Sequence, residues 1–225
     1  MASGFDRHAS GYEAAIAKAI AFAGQPHERY VEAKVRRLLH LARRHLGEGP
    51  LDALDVGCGL GLTDRQLRSH VGSLAGVDVS EAMVAHARET NPDVEYRVSD
   101  GSSLPYDDAS FDVAFAICVL HHVEEREHVA LLREMGRVSR SGGLVVAFEH
   151  NPLNPLTRGV VRGLPFDEGV RLVSRRALVA SFRSAGLDVT DADFLLFTPW
   201  RRLDPLERWL GWLPLGAQFV VAARA

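Results

Sequence analysis

Short, mainly apolar runs alternate with segments of helical spacing along most of the chain. Five such runs precede residue 150, and each is predicted to form a strand: 53–56, 74–79, 94–98, 111–120 and 144–148. Helical spacing separates several of them, most clearly over 81–89 and 125–139. Strands that alternate with helices predict β-α-β units and a parallel sheet. Because most of these strands are apolar on both sides, we expect helices to cover both faces of the sheet.

The pattern changes on either side of these units. Residues 1–46 are amphipathic and predict helices. After residue 151 the pattern predicts two helices and two strands: a helix over 175–185, strands over 192–197 and 218–223, and a short helix over 205–213. Because the two late strands follow each other closely, we expect an antiparallel pair at one edge of the sheet.

These elements predict one α/β domain over residues 1–225. The predicted fold is a Rossmann-like, doubly wound, three-layer α/β/α sheet. The sheet is expected to be mostly parallel, with an antiparallel C-terminal edge strand. Three parts are distinguished: a helical lid over 1–46, a core over 47–150 and a C-terminal segment over 151–225.

Two helix ends carry candidate capping residues. Thr63, with Gln66 three residues later, is predicted to form a capping box at the start of the helix after the first strand. Gly142 and Gly143 are predicted to end the helix over 125–139, since glycine is common at helix C-caps.

Composition and charge exclude several classes of protein. Apolar residues make up 47% of the chain and charged residues 24%, which is typical of a folded globular protein. The net charge of −3 gives no bulk attraction to nucleic acid. Two cysteines exclude a disulfide framework and a cysteine-rich zinc site. The longest apolar run, 113–120, is too short to span a membrane, so we expect a soluble, cytoplasmic protein.

The strongest chemical signal is the glycine loop Leu-Asp-Val-Gly-Cys-Gly-Leu-Gly at 54–61, directly after the first predicted strand. Glycines at alternate positions let the backbone approach a ligand closely. Asp78 ends the second predicted strand, where an acid can bind ribose hydroxyls. The pattern therefore favours a nucleotide cofactor, although a tight turn alone also explains the glycines.

Two kinds of nucleotide cofactor compete for this loop. A dinucleotide loop has the spacing G-x-G-x-x-G, but Leu62 occupies the third glycine position. Asp55 would also repel a pyrophosphate. A cofactor that carries a sulfonium and an ammonium group would instead be attracted by this carboxylate, so S-adenosylmethionine is favoured over a nicotinamide cofactor.

Four further motifs follow the glycine loop in order: Gly-Val-Asp-Val-Ser at 76–80, Ser-Asp-Gly at 99–101, Leu-Pro-Tyr-Asp-Asp-Ala-Ser-Phe-Asp at 104–112 and Val-Leu-His-His-Val at 119–123. With them the chain resembles the class I S-adenosylmethionine-dependent methyltransferases. The resemblance is closest to the small-molecule type related to quinone-biosynthesis and natural-product methyltransferases. It is dense from about residue 54 to 149 and diffuse elsewhere.

The resemblance implies a set of cofactor-binding residues: Tyr12 in the lid, Asp55, Gly57, Cys58, Gly59 and Gly61 around the methionine part, Asp78 at the ribose, Val79, Met83, Asp100, Gly101 and Ser102 around the adenine, and Ile117 and Cys118 by backbone contact. Ordinary structural roles remain open for some of them. Met83 fits a helix core equally well, and both cysteines fit small buried positions better than reactive ones.

Methyl transfer needs a base only if the acceptor is protonated. The resemblance places candidates at the ends of the fourth and fifth strands, namely His121 or His122 together with Glu149, and His150 is a further candidate that is specific to this chain. His122, Glu149 and His150 are the predicted catalytic residues, although a histidine here could also only support a loop. No metal site is expected, because hard cations prefer oxygen ligands and this rim is rich in histidine.

The predicted function is methyl transfer from S-adenosylmethionine to a small-molecule acceptor, by O-methylation of a biosynthetic intermediate. The alternative is a protein that binds this cofactor for a pericyclic or decarboxylating step. Either a large apolar acceptor or an ordinary core explains the aromatic residues Phe166, Phe194, Phe197, Trp200, Trp209 and Trp212. Arg201 and Arg202 fit an anion site or a solvated turn. Nucleic acid is not an expected partner, and the protein is expected to be a monomer or homodimer.

Overall fold

A computed structural model of the chain describes residues 11, 15, 18–20, 26–167, 169–196 and 209–225. Seven strands form one sheet within these residues: β1 (Asp52–Val56), β2 (Ser73–Asp78), β3 (Glu95–Val98), β4 (Phe111–Ile117), β5 (Ser139–His150), β6 (Asp188–Leu195) and β7 (Gln218–Arg224). Their order is β3-β2-β1-β4-β5-β7-β6. The first five strands pair in parallel. β7 is antiparallel to both of its neighbours and lies between β5 and the edge strand β6.

Six α-helices of the described residues pack around this sheet: α1 (His27–Leu46), α2 (Leu62–Leu67), α3 (Glu81–Thr90), α4 (His128–Val138), α5 (Pro155–Arg162) and α6 (Arg175–Ser184). Short 3-10 turns join several elements: Arg68–His70, Leu120–His122, Glu125–Glu127 and Pro165–Asp167.

The sheet separates two hydrophobic cores, as β5 illustrates. Val146 and Phe148 belong to the core that α1 covers, whereas Val145 and Ala147 belong to the core that α4 and α6 cover. All four are fully buried. Alternate residues of a strand point to opposite faces, so an unbroken apolar run fills both cores. The predicted doubly wound three-layer fold is confirmed.

Both capping predictions are wrong. α2 begins at Leu62 with Gly61 as its N-cap, in the left-handed conformation at φ 71°, and Thr63 lies inside the helix. α4 ends at Val138, and Gly142 and Gly143 lie inside β5. The pairing of β5 with β4 shifts register along this stretch. Gly142 has φ +75° there, so the glycine pair serves a strand irregularity and not a helix end.

Candidate functional site

The carboxyl ends of β1, β2, β4 and β5 open onto one cavity of about 1210 Å³. In open α/β sheets this edge is the usual place for a ligand. Most of the predicted site residues line the cavity: Asp55, Gly57, Cys58, Gly59, Asp78, Val79, Met83, Asp100, Gly101, Ser102, Ile117, Cys118, His122 and His150. His121 lines it as well. Tyr12 lies outside the described residues.

The glycine loop is held against β2 by its backbone. The N–H groups of Gly57 and Cys58 both donate to the Val77 carbonyl, at 2.7 and 3.1 Å. A Cβ at Gly57 would lie 2.5 Å from Val119 Cγ2, so this position has no room for a side chain. At Gly59 a Cβ would have nothing within 4 Å, which fits a backbone segment that faces an open space.

Gly61 has a structural position and does not line the cavity. A Cβ there would lie 2.5 Å from Asn91 Nδ2 and 2.7 Å from the Tyr96 hydroxyl. The Asn91 amide donates to the Gly61 carbonyl at 3.2 Å. These contacts tie the end of the loop to α3 and β3, so the third glycine is required by packing under the loop.

Two buried carboxyl groups lie beneath the loop. Tyr96 donates from its hydroxyl to Asp64 Oδ2 at 2.7 Å. Oδ1 of Asp64 and Oδ1 of Asp55 have no hydrogen-bond partner among the described residues. Burial, with Asp64 nearby, raises the pKa of Asp55 well above its ordinary value. Burial also raises the pKa of Asp64 to about 6. Asp55 lines the cavity, and a cationic group of a ligand beside it would favour its ionised form.

Asp78 ends β2 and organises the loop opposite it. Its Oδ2 accepts from the Gly59 N–H and its Oδ1 from the Ser80 N–H, both at 2.9 Å. Each carboxylate oxygen can accept further hydrogen bonds, so the group can also receive donors from a ligand. Burial raises the pKa of Asp78, although the backbone donors oppose that effect.

The loop over 99–103 forms an exposed wall of the cavity. Asp100 accepts from the N–H and the hydroxyl of Ser102, at 2.8 and 2.7 Å, and these bonds lower the pKa of Asp100. Met83 forms a buried part of the wall, and its N–H donates to the Ser80 hydroxyl that caps α3. Met83 is thus both a core residue and a cavity residue.

Cys118 follows β4 at φ +58°, a left-handed conformation that is uncommon for a non-glycine residue. Such strain often marks a ligand site. Burial raises the pKa of the Cys118 thiol to about 12, and burial also raises that of Cys58. Neither thiol is a thiolate near neutral pH, which agrees with the prediction that neither is a nucleophile.

Sequence analysis missed Lys34, a buried cation of α1 that lines the same cavity. Its charge acts against the raised pKa of Asp55. The helical spacing of α1 indicated only an amphipathic element, and no motif distinguishes this lysine from the other basic residues of the helix.

Glu149 does not face the cavity, which corrects its predicted role as a base. Its side chain is fully buried behind His121. Oε1 accepts from the Leu120 N–H and Oε2 contacts His121 Nδ1, both at 2.7 Å. With both oxygens engaged, Glu149 cannot take a proton from an acceptor, but it can position His121.

Three imidazoles lie together at the far side of the cavity. The ring centroid of His121 is 4.1 Å from that of His122 and 5.2 Å from that of His150. Burial lowers the pKa of His121, but Glu149 and Asp167 outweigh it and raise this pKa to about 10. Burial lowers the pKa of His150 to about 3. The cluster therefore combines a charged imidazole with a neutral one.

Asp167 is the second residue that sequence analysis missed. It lies in the 3-10 turn Pro165–Asp167 and lines the cavity, and its Oδ1 is 3.2 Å from His122 Nε2 and 3.6 Å from His121 Nε2. Burial opposes ionisation, but the two imidazoles lower the pKa of Asp167 below its ordinary value. Since residues 151–174 carry no motif, only the tertiary fold reveals this carboxylate.

The aromatic residues named from the sequence occupy different environments in the structure. Phe166 lines the cavity, Phe194 packs edge-on against Phe219 in the core, and Trp209 and Trp212 are exposed. Four of the predicted residues lie outside the described part of the chain: Phe197, Trp200, Arg201 and Arg202.

Comparison with known proteins places this site in a family. Residues 54–147, which include the glycine loop, Asp78 and the histidine pair, match the family described as "Methyltransferase domain". Residues 54–147 are therefore a methyltransferase domain of the class I S-adenosylmethionine-dependent type. This confirms the family that the motifs predicted, and S-adenosylmethionine is the cofactor of this methyltransferase family.

Relatives of this chain include proteins with different acceptors. Over 114 residues it is 40% identical to 27-O-demethylrifamycin SV methyltransferase of Amycolatopsis mediterranei, covering 46% of this chain and 41% of that protein. Over 192 residues it is 31% identical to 2-methyl-6-phytyl-1,4-hydroquinone methyltransferase of Synechocystis, covering 76% of this chain and 59% of that protein. The chain thus spans about half the length of these curated relatives.

A solved structure from Thermotoga maritima shares the whole fold. It is described as a methyltransferase and possible histamine N-methyltransferase, and it aligns with a TM-score of 0.71 at 20% identity. The alignment covers 100% of this chain and 99% of that one. At this identity the similarity shows the fold alone.

The residues of this site fit the family's cofactor. The cavity offers a buried Asp55 oxygen without a partner among the described residues, which suits an ammonium group. It also offers backbone at Gly59 with open space in front of it. The Asp55 carboxylate would repel a pyrophosphate.

Within the described ranges, no helix has the length and apolar character needed to cross a membrane.

Proposed function

We propose that this protein transfers a methyl group from S-adenosylmethionine to an oxygen atom of a small-molecule biosynthetic intermediate. The observation that carries the proposal is the cluster of His121, His122 and Asp167 on the same cavity as the glycine loop. Such a cluster serves an acceptor whose proton must be removed. One relative is named 27-O-demethylrifamycin SV methyltransferase, and this name supports oxygen as the acceptor atom.

The cofactor end of the cavity has its own set of proposed contacts. Asp55 binds the amino group of the cofactor's methionine part, and Lys34 faces the carboxylate of the same part. Asp78 accepts from the ribose hydroxyls. The adenine lies between Met83 and the loop over 99–103. These assignments rest on the charge and position of each side chain in the cavity, together with the family resemblance.

S-adenosylmethionine, when bound, supplies a methyl carbon on a positively charged sulfur, and that carbon is already activated for displacement. The chain must therefore hold the acceptor in line and keep water out. The acceptor end is partly apolar, with Val160, Leu164 and Phe166 in its wall. Such a wall fits an acceptor with an extended apolar part.

His122 is the proposed base. Its Nε2 lies 3.2 Å from Asp167 Oδ1, close enough for the carboxylate to stabilise the cation that forms when His122 takes a proton. Its Nδ1 is the nitrogen that would accept the acceptor's proton. The His121 ring is less suitable, because its Nδ1 is engaged by Glu149 and only 1% of its side chain is exposed, against 17% for His122.

The cofactor assignment is tested by calorimetric titration. We expect S-adenosylhomocysteine to bind and NADH not to bind. Replacing Asp78 with alanine should weaken binding by about 2–3 kcal/mol, or roughly 30–150-fold, the scale of a hydrogen bond to a charged group. Asp93→Ala, at an exposed ion pair, is the matched control and should leave affinity unchanged. Binding of NADH without S-adenosylhomocysteine would overturn the cofactor assignment.

The reaction itself is tested by release of S-adenosylhomocysteine with a panel of hydroxylated, amine and carbon acceptors. O-methylation predicts release with hydroxylated acceptors, together with a methyl group on oxygen in the product. Binding of the cofactor with no release on any acceptor class would favour the alternative of a non-methylating enzyme. Release only with amines would replace oxygen by nitrogen as the acceptor atom.

Binding of the cofactor should also depend on pH through the buried carboxyl pair. Asp55 faces Asp64, Asp78 and Lys34, and its pKa is raised. A cationic ligand favours ionised Asp55, so the affinity for S-adenosylmethionine should rise with pH. We expect an increase of up to about tenfold per pH unit below the raised pKa of Asp55, over the range where the ligand's α-amino group keeps its proton.

The control for this pH dependence is Asp64→Asn, which removes the acid that adds to the effect of burial on the pKa of Asp55. Affinity at pH 6 should then increase, and the rise in affinity should move to lower pH. Calorimetry at fixed ionic strength measures both effects. A flat profile in the parent protein would mean that Asp55 is already ionised and that the pair shares no proton.

A further inference from the structure

Three side chains from three separate segments meet at the acceptor end of the cavity. They are His121 after β4, His150 at the end of β5 and Asp167 in the turn Pro165–Asp167. One nitrogen of each imidazole and one carboxylate oxygen all lie within 4.8 Å of one another. The side chains of His121 and Asp167 are 1% and 2% exposed, so this is a buried arrangement and not a surface coincidence.

The Oδ1 atom of Asp167 lies among these rings. It is buried and lies 3.2 Å from His122 Nε2 and 3.6 Å from His121 Nε2, but neither nitrogen is aligned with it for a hydrogen bond. Hydrogen-bonded groups point at each other, whereas the ligands of a metal ion point at a common centre. A buried carboxylate oxygen that lies among nitrogens but is aligned with none of them fits the second case.

The outer contacts of both imidazoles leave the inner nitrogens available. Glu149 Oε2 is 2.7 Å from His121 Nδ1, and the Gln218 amide is 3.4 Å from His150 Nδ1. In metal sites, a carboxylate or amide on one ring nitrogen typically orients the other toward the ion. Glu149 would thereby orient His121 Nε2 toward the ion.

We propose that His121 Nε2, His150 Nε2 and Asp167 Oδ1 bind one divalent transition-metal ion. Two imidazoles and one carboxylate suit ions such as Zn²⁺, Fe²⁺ or Co²⁺, whereas Mg²⁺ and Ca²⁺ prefer oxygen ligands. The negative charges of Asp167 and Glu149 match the charge of the ion. No metal is expected from the sequence, because hard cations prefer oxygen ligands and this rim is rich in histidine. Asp167, 17 residues beyond His150, is not among the candidate residues.

Three protein ligands leave a coordination position open toward the cavity. An acceptor hydroxyl bound there would lose its proton more readily, and the adjacent His122 would receive it. This role rests on the proposed function, but binding of the ion does not.

The experiment strips the full-length protein with a chelator and titrates it with Co²⁺ alone. Visible absorption and calorimetry are the readouts. We expect one Co²⁺ per chain, ligand-field bands of a low-symmetry site, and displacement by Zn²⁺. Asp167→Asn and His150→Ala should each weaken Co²⁺ binding at least about 100-fold, and Glu149→Gln about 10–100-fold. His70→Ala, on an exposed histidine, is the matched control and should bind like the parent.

Each variant is first shown to bind S-adenosylhomocysteine with parental affinity, which separates a lost metal site from a lost fold. Absence of stoichiometric Co²⁺ binding in the parent overturns the proposal. Unchanged Co²⁺ binding in both Asp167→Asn and His150→Ala overturns it equally. A protein that methylates an acceptor but binds no Co²⁺ contradicts only the metal site, and one that binds Co²⁺ but transfers no methyl group contradicts only the proposed function.

Discussion

Replacing His122 with alanine is expected to lower turnover on a hydroxylated acceptor by about 10²–10⁴-fold, the usual contribution of a general base. The physical reason is that the proton of the acceptor would then have no nearby imidazole to receive it. Affinity for S-adenosylhomocysteine should change by no more than a few-fold. Steady-state kinetics with calorimetry on the same preparation measures both.

The matched control is His86→Ala on α3, which removes an imidazole away from the acceptor cluster. It should leave turnover at the parental rate. Parental turnover in His122→Ala would mean that the acceptor oxygen is already ionised, or that the methylated atom is an amine or an activated carbon. Loss of cofactor binding in His122→Ala would instead show that this histidine belongs to the cofactor end of the cavity.

Replacing Glu149 with alanine should destabilise the protein by about 3–5 kcal/mol, the usual effect of removing one partner from a buried ion pair. His121 would keep only the more distant carboxylate of Asp167, 3.6 Å away, and the Leu120 N–H would lose its acceptor. Urea unfolding should show this as a lower midpoint at an unchanged m-value. Glu149→Gln keeps an acceptor for Leu120 and should cost less.

Glu95→Ala is the control for this prediction, because it removes a carboxylate from the exposed ion pair with Arg97. An exposed pair of this kind contributes about 0–1 kcal/mol. If Glu149→Ala unfolded at the parental midpoint, the Glu149–His121 pair would contribute little, and the buried network would not be the element that positions this edge of the cavity.

The strands and the glycine loop could be predicted because their causes are local. An apolar run fills both faces of a buried strand wherever it occurs, and the glycines at 57, 59 and 61 follow the first strand directly in the sequence. The order of the motifs along the chain then suffices to identify the family. None of these inferences needs the distance between residues that are far apart in sequence.

The residues that sequence analysis missed or misplaced depend on long-range packing. Lys34 and Asp167 reach the cavity from helices and turns whose sequence shows only ordinary amphipathic or loop character. Glu149 sits at the end of a strand, where either a cavity-facing or a buried side chain is possible, and the partner that decides between them is His121. The glycines at 142–143 looked like a helix end because a strand irregularity uses the same backbone freedom.

The position of Asp167 has a consequence for engineering. The segment between β5 and α6 contains Val160 and Leu164, which form part of the apolar wall, and Asp167 follows a few residues later. Exchanging the whole segment between β5 and α6 for that of a relative would change the acceptor-binding wall. The same exchange would remove Asp167, the partner of His122. Acceptor selectivity should therefore be altered by single substitutions in α5, and the turn Pro165–Asp167 should be left unchanged.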